Sequence, residues 1–139
     1  MLPLAADDYP DDLSRLKAWM IRFIEANAAR PALLRIINRE AATPGPRLDY
    51  LFDHYIEPVG QVGESLLTDL HARGEVTTTS VALVYFLMTH GAGGPTAFPS
   101  LAQRFGEPVA PDDADAVRRH AETAVDVLFD GLRARDGEP

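Results

Sequence analysis

The chain contains aromatic, hydroxyl and imidazole side chains of the types that line small-molecule pockets. Such pockets have mainly apolar walls and a few polar groups that orient the ligand. Aromatic rings supply the walls, and threonine or histidine supplies hydrogen bonds. The candidate pocket residues are Trp19, Phe23, Tyr55, Tyr85, Thr89, His90 and Phe98. The alternative is that these rings fill a dry core, because aromatic residues at helical spacing also pack there.

His90 has two interpretations. In a pocket, its imidazole would form a hydrogen bond with a carbonyl or acid group of a ligand. At the end of a helix, a histidine is favoured by the negative end of the helix dipole. The predicted helix before Gly91 ends close to His90, which favours the structural role.

A possible metal site consists of Asp49, Asp53 and Glu57, which follow one another at intervals of four residues. This spacing places the carboxylates on one helix face. Zinc sites, however, normally bring together histidine or cysteine ligands with convergent geometry. The three carboxylates lie opposite the apolar line of their helix, which is typical of a solvated ridge. We therefore predict no metal site.

The sequence shows no motif for catalysis or for a cofactor. The glycines within residues 91–94 follow a predicted helix, whereas a phosphate-binding loop precedes one. The serines lack an adjacent base or a nucleophile-elbow pattern, and the chain has no cysteine. We predict no cofactor and no enzymatic activity, although a triad assembled only by the fold would leave no such motif.

The net charge limits the partners of the chain. Thirteen basic residues stand against 21 acidic ones, which gives a net charge of −8. Nucleic-acid binding depends on Lys and Arg facing phosphates, so we do not expect this chain alone to bind DNA or RNA. Residues 1–8 lack the basic region and apolar core of a signal peptide, and no apolar run approaches the roughly 20 residues that span a bilayer. These features predict a cytoplasmic protein without a membrane segment.

Apolar residues recur at intervals of three and four along most of the chain, which predicts an all-α fold. We expect a helical bundle of about five to six helices. The bundle forms one domain at residues 10–134, after a short lead at residues 1–9 and before a frayed tail at residues 135–139.

Several details of the helices follow from single residues. Trp19 lies on the edge of the apolar line of the first helix, whose first turn contains Pro10. Pro58 should kink or break a long third helix, because proline lacks an N–H group and clashes with an earlier carbonyl. Asp112 should cap the last helix. Residues 95–111 are typical of an irregular connection with a short turn at residues 100–105.

The fourth predicted helix contains an apolar run at residues 81–88 and so has no polar face. A helix that is apolar all round must be covered on every side. The last helix is also apolar beyond one stripe, so we expect these two helices to form a dimeric four-helix bundle with a second copy. The alternative is a monomer in which the other helices wrap both. The predicted interface residues are Val81, Val84, Val117, His120, Ala124, Val127, Leu128 and Gly131.

Five segments resemble the sensor domain of TetR/AcrR-type transcriptional regulators. The first two are residues 30–40 (RPALLRIINRE) and 44–51 (PGPRLDYL). The others are residues 55–58 within the long helix, residues 66–76 before the apolar helix, and residues 120–132 in the last helix. The similarity extends over about residues 10–134 and is one of pattern, without an invariant motif.

The resemblance implies an all-α module that forms a homodimer and binds a small apolar or weakly polar ligand. Members of this family bind DNA through a helix-turn-helix domain that precedes the sensor domain, and the ligand controls that binding. No segment of the printed sequence is typical of such a domain. We expect either that a longer protein supplies it or that the sensor domain is free-standing. The competing interpretation is a stand-alone helical dimerisation or adaptor module without a ligand.

Overall fold

The computed structural model describes residues 4–135, and it confirms the all-α fold. The helices in chain order are α1 (Asp12–Ala29), α2 (Pro31–Glu40), α3 (Pro46–Leu51), α4 (Glu57–Ala72), α5 (Val81–Phe86), α6 (Gly94–Ala97), α7 (Pro99–Arg104) and α8 (Ala114–Leu132). Two π-helical segments join helices end to end: π1 (Phe52–Ile56) lies between α3 and α4, and π2 (Leu87–Ala92) continues α5. A short 3₁₀ turn, Ala6–Asp8, precedes α1.

Side-chain caps fix where the main helices begin. The Asp11 carboxylate accepts a hydrogen bond from the Ser14 backbone N–H at 2.7 Å, so Pro10 lies before the helix and not in its first turn. The Ser80 hydroxyl accepts from the backbone N–H of Leu83 at 3.1 Å, as expected for a hydroxyl cap. The predicted cap of the last helix was wrong by one residue, because Asp113 and not Asp112 accepts the first-turn bond.

Pro58 interrupts the long helix as predicted, and the interruption takes the form of π1. Pro58 is the second residue of α4, directly after the π-helical turns. Because proline cannot donate a backbone hydrogen bond and opposes the carbonyl four residues earlier, the α-helical pattern cannot run through it unchanged. His54 Nδ1–H donates to the Tyr50 carbonyl at 2.8 Å, and the two rings stack. Through this bond the His54 side chain donates to a backbone carbonyl close to the interruption.

The segment after the apolar helix is more ordered than the sequence suggests. The predicted stop falls at Gly93, where a Cβ would overlap the Thr89 carbonyl oxygen, whereas Gly91 still belongs to π2. Residues 95–111, predicted as an irregular connection, contain most of α6 and all of α7. Proline near the start of each of these short helices favours this arrangement, because its fixed φ suits the first helical turn.

The hydrophobic core lies where α1 meets α4, π2 and α8. Trp19 is only 1% exposed, so the prediction that it lies on the edge of the apolar line was wrong. The reason is Gly63 on α4, which has no side chain and lets the indole ring lie against the helix backbone. The other large side chains at the centre of this core are Leu16, Met20, Leu67, Leu70, Met88 and Val125.

Within residues 4–135, no helix is both long enough and apolar enough to cross a bilayer. In the predicted lead at residues 1–9, Leu4 is buried against the core, and residues 1–3 lie outside the described residues. The predicted frayed tail also lies outside them, apart from the exposed Arg135.

Candidate functional site

A cavity of about 300 Å³ lies between α1, α2, the start of α4, and α5. We call it the ligand cavity. Its volume falls at the small end of the usual range of about 300–1,000 Å³ for ligand pockets. Its lining residues are mainly apolar: Phe23, Ala26, Asn27, Ala29, Arg30, Leu33, Leu34, Ile37, Tyr55, Ile56, Val59 and Tyr85.

Aromatic rings form one wall of the ligand cavity. The rings of Phe23 and Tyr85 meet edge to face, with centroids 5.5 Å apart. Tyr55 reaches the cavity from π1. Burial raises the pKa of the Tyr85 hydroxyl, and the nearby Thr89 hydroxyl partly offsets this effect. Like an ordinary tyrosine, the phenol is protonated at neutral pH and can donate a hydrogen bond.

Two polar residues at the end of α1 and just after it also line the ligand cavity. Asn27 follows Phe23 by four residues and shares its face of α1, whereas Arg30 lines the same cavity from the junction between α1 and α2. The Asn27 side-chain nitrogen Nδ2 is buried and has no hydrogen-bond partner among the described residues. Neither Asn27 nor Arg30 was predicted from the sequence as a ligand-binding residue. The available signal was an amide placed within an otherwise apolar helical face.

The structure brings three of the predicted pocket residues together, namely Phe23, Tyr55 and Tyr85. The remaining four do not line the ligand cavity. Trp19 lies behind it in the core, where its ring contacts the Phe23 ring at 5.9 Å between centroids. Thr89 is fully buried, and its hydroxyl has no hydrogen-bond partner of ordinary geometry among the described residues. The other two residues, His90 and Phe98, are exposed.

His90 lies on the surface because of its position on the helix. It belongs to π2 and stacks on the Phe86 ring, with centroids 5.8 Å apart. Phe86 itself is 57% exposed. The arrangement is consistent with a structural role for His90 near the end of its helical segment.

A second concave surface, the apolar groove, lies between α5 and α8. It also encloses about 300 Å³, and nearly all of its exposed surface is apolar. Val127 projects from α8 with 71% of its surface exposed, and Leu83 and Leu87 are also exposed. The lining residues are Met20, Thr77, Thr78, Leu83, Val84, Leu87, Val127, Leu128, Gly131 and Leu132. Four of the predicted interface residues are among them.

The remaining predicted interface residues pack largely within the chain itself. Val117 is buried, and Val81 and Ala124 are half-buried against the core. His120 Nε2–H donates to the Ala92 carbonyl at 2.6 Å and so ties α8 to the end of π2. The physical reason is that α8 packs against α1 and π2 along this stretch, which leaves only its later residues free.

The acidic ridge shows no convergence of metal ligands. Asp49, Asp53 and Glu57 are exposed on successive helical turns. Among residues 4–135, no three His, Asp or Glu side chains come close enough to hold a metal ion.

Comparison with known proteins does not assign the chain to a family. It matches no protein-family model, no curated protein sequence and no solved structure. The ligand cavity and the apolar groove are therefore the features from which we infer a function.

Proposed function

We propose that this chain is the ligand-binding and dimerisation domain of a TetR/AcrR-like transcriptional regulator. In this proposal the protein is cytoplasmic and forms a homodimer. A small molecule occupies the ligand cavity, and DNA is bound only by a helix-turn-helix domain outside this chain. The net charge of −8 supports that division, because phosphate binding requires a basic surface.

The observation that carries the proposal is that one helical segment, α5 with π2, serves both surfaces. Tyr85 lines the ligand cavity, whereas Leu83 and Leu87 line the apolar groove. Residues two positions apart are rotated by about 200° around the helix axis, so their side chains point to nearly opposite sides. A small movement of this segment on ligand binding would therefore also shift the residues that line the groove on its other side.

The groove supplies the surface for the second copy. It is apolar and open, and Gly131, where nothing lies within 4 Å of a Cβ, allows close approach along α8. A stable interface typically buries about 1,600 Å² in total, which α5 and α8 together could provide across a two-fold axis. Ligand and partner would then be linked by a coupling free energy, typically about 1–3 kcal/mol.

Two measurements test the proposal. Light scattering at micromolar concentration should give the mass of a dimer. Thermal unfolding with a panel of small aromatic compounds, both neutral and carboxylate-bearing and including 4-methylacetophenone, p-xylene and 4-methylbenzoate, should show a raised midpoint for at least one, since a ligand of the folded state stabilises it by mass action. A monomer mass, or a panel with no stabilising compound, would contradict the proposal.

The second candidate function is a helical adaptor that uses only the apolar groove. The exposed Val127, Leu83 and Leu87 favour it, because they need a partner whether or not the cavity binds a ligand. A dimer that no compound stabilises would support the adaptor. A dimer stabilised by a compound that Tyr85→Ala weakens would support the sensor.

A further inference from the structure

We propose that the ligand cavity takes a small aromatic monocarboxylate, held by the side chains of Asn27 and Arg30. The inference rests on the proposed function and narrows it, because the sequence alone indicated a neutral or weakly polar ligand. In the arrangement proposed, the apolar walls cover the ring of the ligand. The carboxylate lies towards the end of α1, where both polar groups line the cavity.

Asn27 supplies the first part of the argument. Its Nδ2 group is buried and makes no hydrogen bond with any described residue. Buried polar groups in proteins are nearly always hydrogen-bonded, so an exception calls for an explanation. Because Asn27 lines the ligand cavity, an acceptor oxygen on a bound molecule would complete its hydrogen bonding.

The charge of Arg30 determines whether a carboxylate or a neutral carbonyl is the better acceptor group on the ligand. Of the described residues that line the cavity, Arg30 alone carries a charge. Its guanidinium forms no ion pair with any carboxylate in residues 4–135. A guanidinium pairs with a carboxylate through two parallel hydrogen bonds, and no lining carboxylate would repel an anion. A ligand carboxylate therefore fits better than a neutral carbonyl.

The dimensions of the cavity limit the rest of the ligand. About 300 Å³ is enough for a single substituted ring. The edge-to-face pair of Phe23 and Tyr85 provides an aromatic surface for such a ring. Tyr85, which lines the same cavity, also carries a hydroxyl that is protonated at neutral pH and can donate a hydrogen bond.

The test uses three probes with the same ring and different polar groups: 4-methylbenzoate, 4-methylacetophenone and p-xylene. Calorimetry measures the Kd of each for the unaltered chain and for three variants. Asn27→Leu removes the amide at similar size, and Arg30→Gln removes the charge. Arg35→Gln is the matched control, because Arg35 is exposed on α2 and does not line the cavity.

We expect 4-methylbenzoate to bind at least tenfold more tightly than 4-methylacetophenone, and p-xylene to bind most weakly. Arg30→Gln should weaken only the benzoate, by about tenfold, and Asn27→Leu should weaken both oxygen-containing probes. Arg35→Gln should change neither. Since Arg30 is exposed, Arg30→Gln should fold. It therefore still tests the carboxylate inference if Asn27→Leu proves unstable.

The other outcomes separate this inference from the proposed function. If the ketone binds as tightly as the benzoate and Arg30→Gln changes nothing, the carboxylate inference is overturned while the ligand cavity stands. The carboxylate inference is also overturned if p-xylene binds as tightly as the ketone and the benzoate. If none of the three probes binds and the panel of aromatic compounds also fails, the proposed ligand-binding function falls together with this inference.

Discussion

The rings of Tyr85 and Phe86 meet edge to face, with centroids 5.6 Å apart and planes 81° apart. They are consecutive residues, yet Tyr85 lines the ligand cavity and Phe86 is exposed on the surface beside Leu83 and Leu87. Packed aromatic pairs favour such perpendicular geometry. Any ligand that shifts the Tyr85 ring must therefore change its packing against a ring on the outer surface.

We first expect Tyr85→Ala to weaken binding of a neutral aromatic probe by about tenfold, because the variant loses an edge-to-face partner of Phe23 and part of the cavity wall. Calorimetry with 4-methylacetophenone measures the change. Phe105→Ala is the control, since Phe105 is 77% exposed at the end of α7. Equal affinity in both variants would mean that the probe binds elsewhere.

A second prediction concerns the contact between Trp19 and Gly63. A Cβ at Gly63 would lie 2.6 Å from the indole ring, so Gly63→Ala should destabilise the fold by about 1–3 kcal/mol. Gly60 lies on the same helix with nothing within 4 Å of a Cβ, and Gly60→Ala should stabilise it by about 0.5–1 kcal/mol. Urea unfolding of the two variants checks both signs. A stabilising Gly63→Ala would show that the ring does not lie against α4.

The third prediction tests the homodimer. Val127→Glu should convert a dimer to a monomer, because it would bury a charge in the apolar groove. The fold should survive, since Val127 is exposed within the chain. Light scattering reports the mass and circular dichroism the helix content. Phe105→Glu, an equivalent change on another exposed surface, should leave the dimer intact; a dimer that survives Val127→Glu would place the interface elsewhere.

The raised pKa of Tyr85 gives a fourth prediction. Well below pH 10 the phenol is protonated in both states and its titration contributes nothing to the pH dependence. As the pH rises past 10, the unfolded chain loses this proton before the folded chain does, so stability falls with increasing pH. Tyr85→Phe removes the contribution. The free energy of unfolding of Tyr85→Phe, minus that of the unaltered chain, should therefore increase between about pH 9 and pH 11.

Urea unfolding at several pH values measures that difference, with Tyr50→Phe as the control because Tyr50 is exposed on α3. The control should show no comparable trend. A Tyr85→Phe variant whose relative stability does not change with pH would mean that the hydroxyl is better solvated than its burial indicates.

Much of the fold could be predicted from the sequence because it depends on local patterns. Helical spacing indicates the principal helices, and Pro58 indicates the interruption of the long one. The buried position of Trp19 could not be predicted, because it depends on Gly63, which is 44 residues further along the chain. The helix α6 was missed, and α7 was predicted only as a short turn at residues 100–105, because each is too short to show a clear period.

The candidate site was only partly predictable for a similar reason. Aromatic type was enough to find Phe23, Tyr55 and Tyr85, but not to tell a cavity wall from a core position such as that of Trp19. Asn27 and Arg30 were missed because neither a single amide within an apolar helical face nor an arginine after it indicates a ligand contact by itself. Their importance depends on α2 folding back beside α1, which is a tertiary relationship.

The two π-helical segments affect how related chains should be aligned with this one. A π-helical turn holds one residue more than an α-helical turn, and each residue of an α-helix rotates the chain by about 100°. Removing one residue from π2, or from π1 in a related chain without a proline at position 58, would restore an α-helical turn without rotating the helical residues that follow. We therefore expect single-residue gaps within residues 52–56 and 87–92, inside helices where alignments rarely place them, with the same faces still presented to the cavity and the groove.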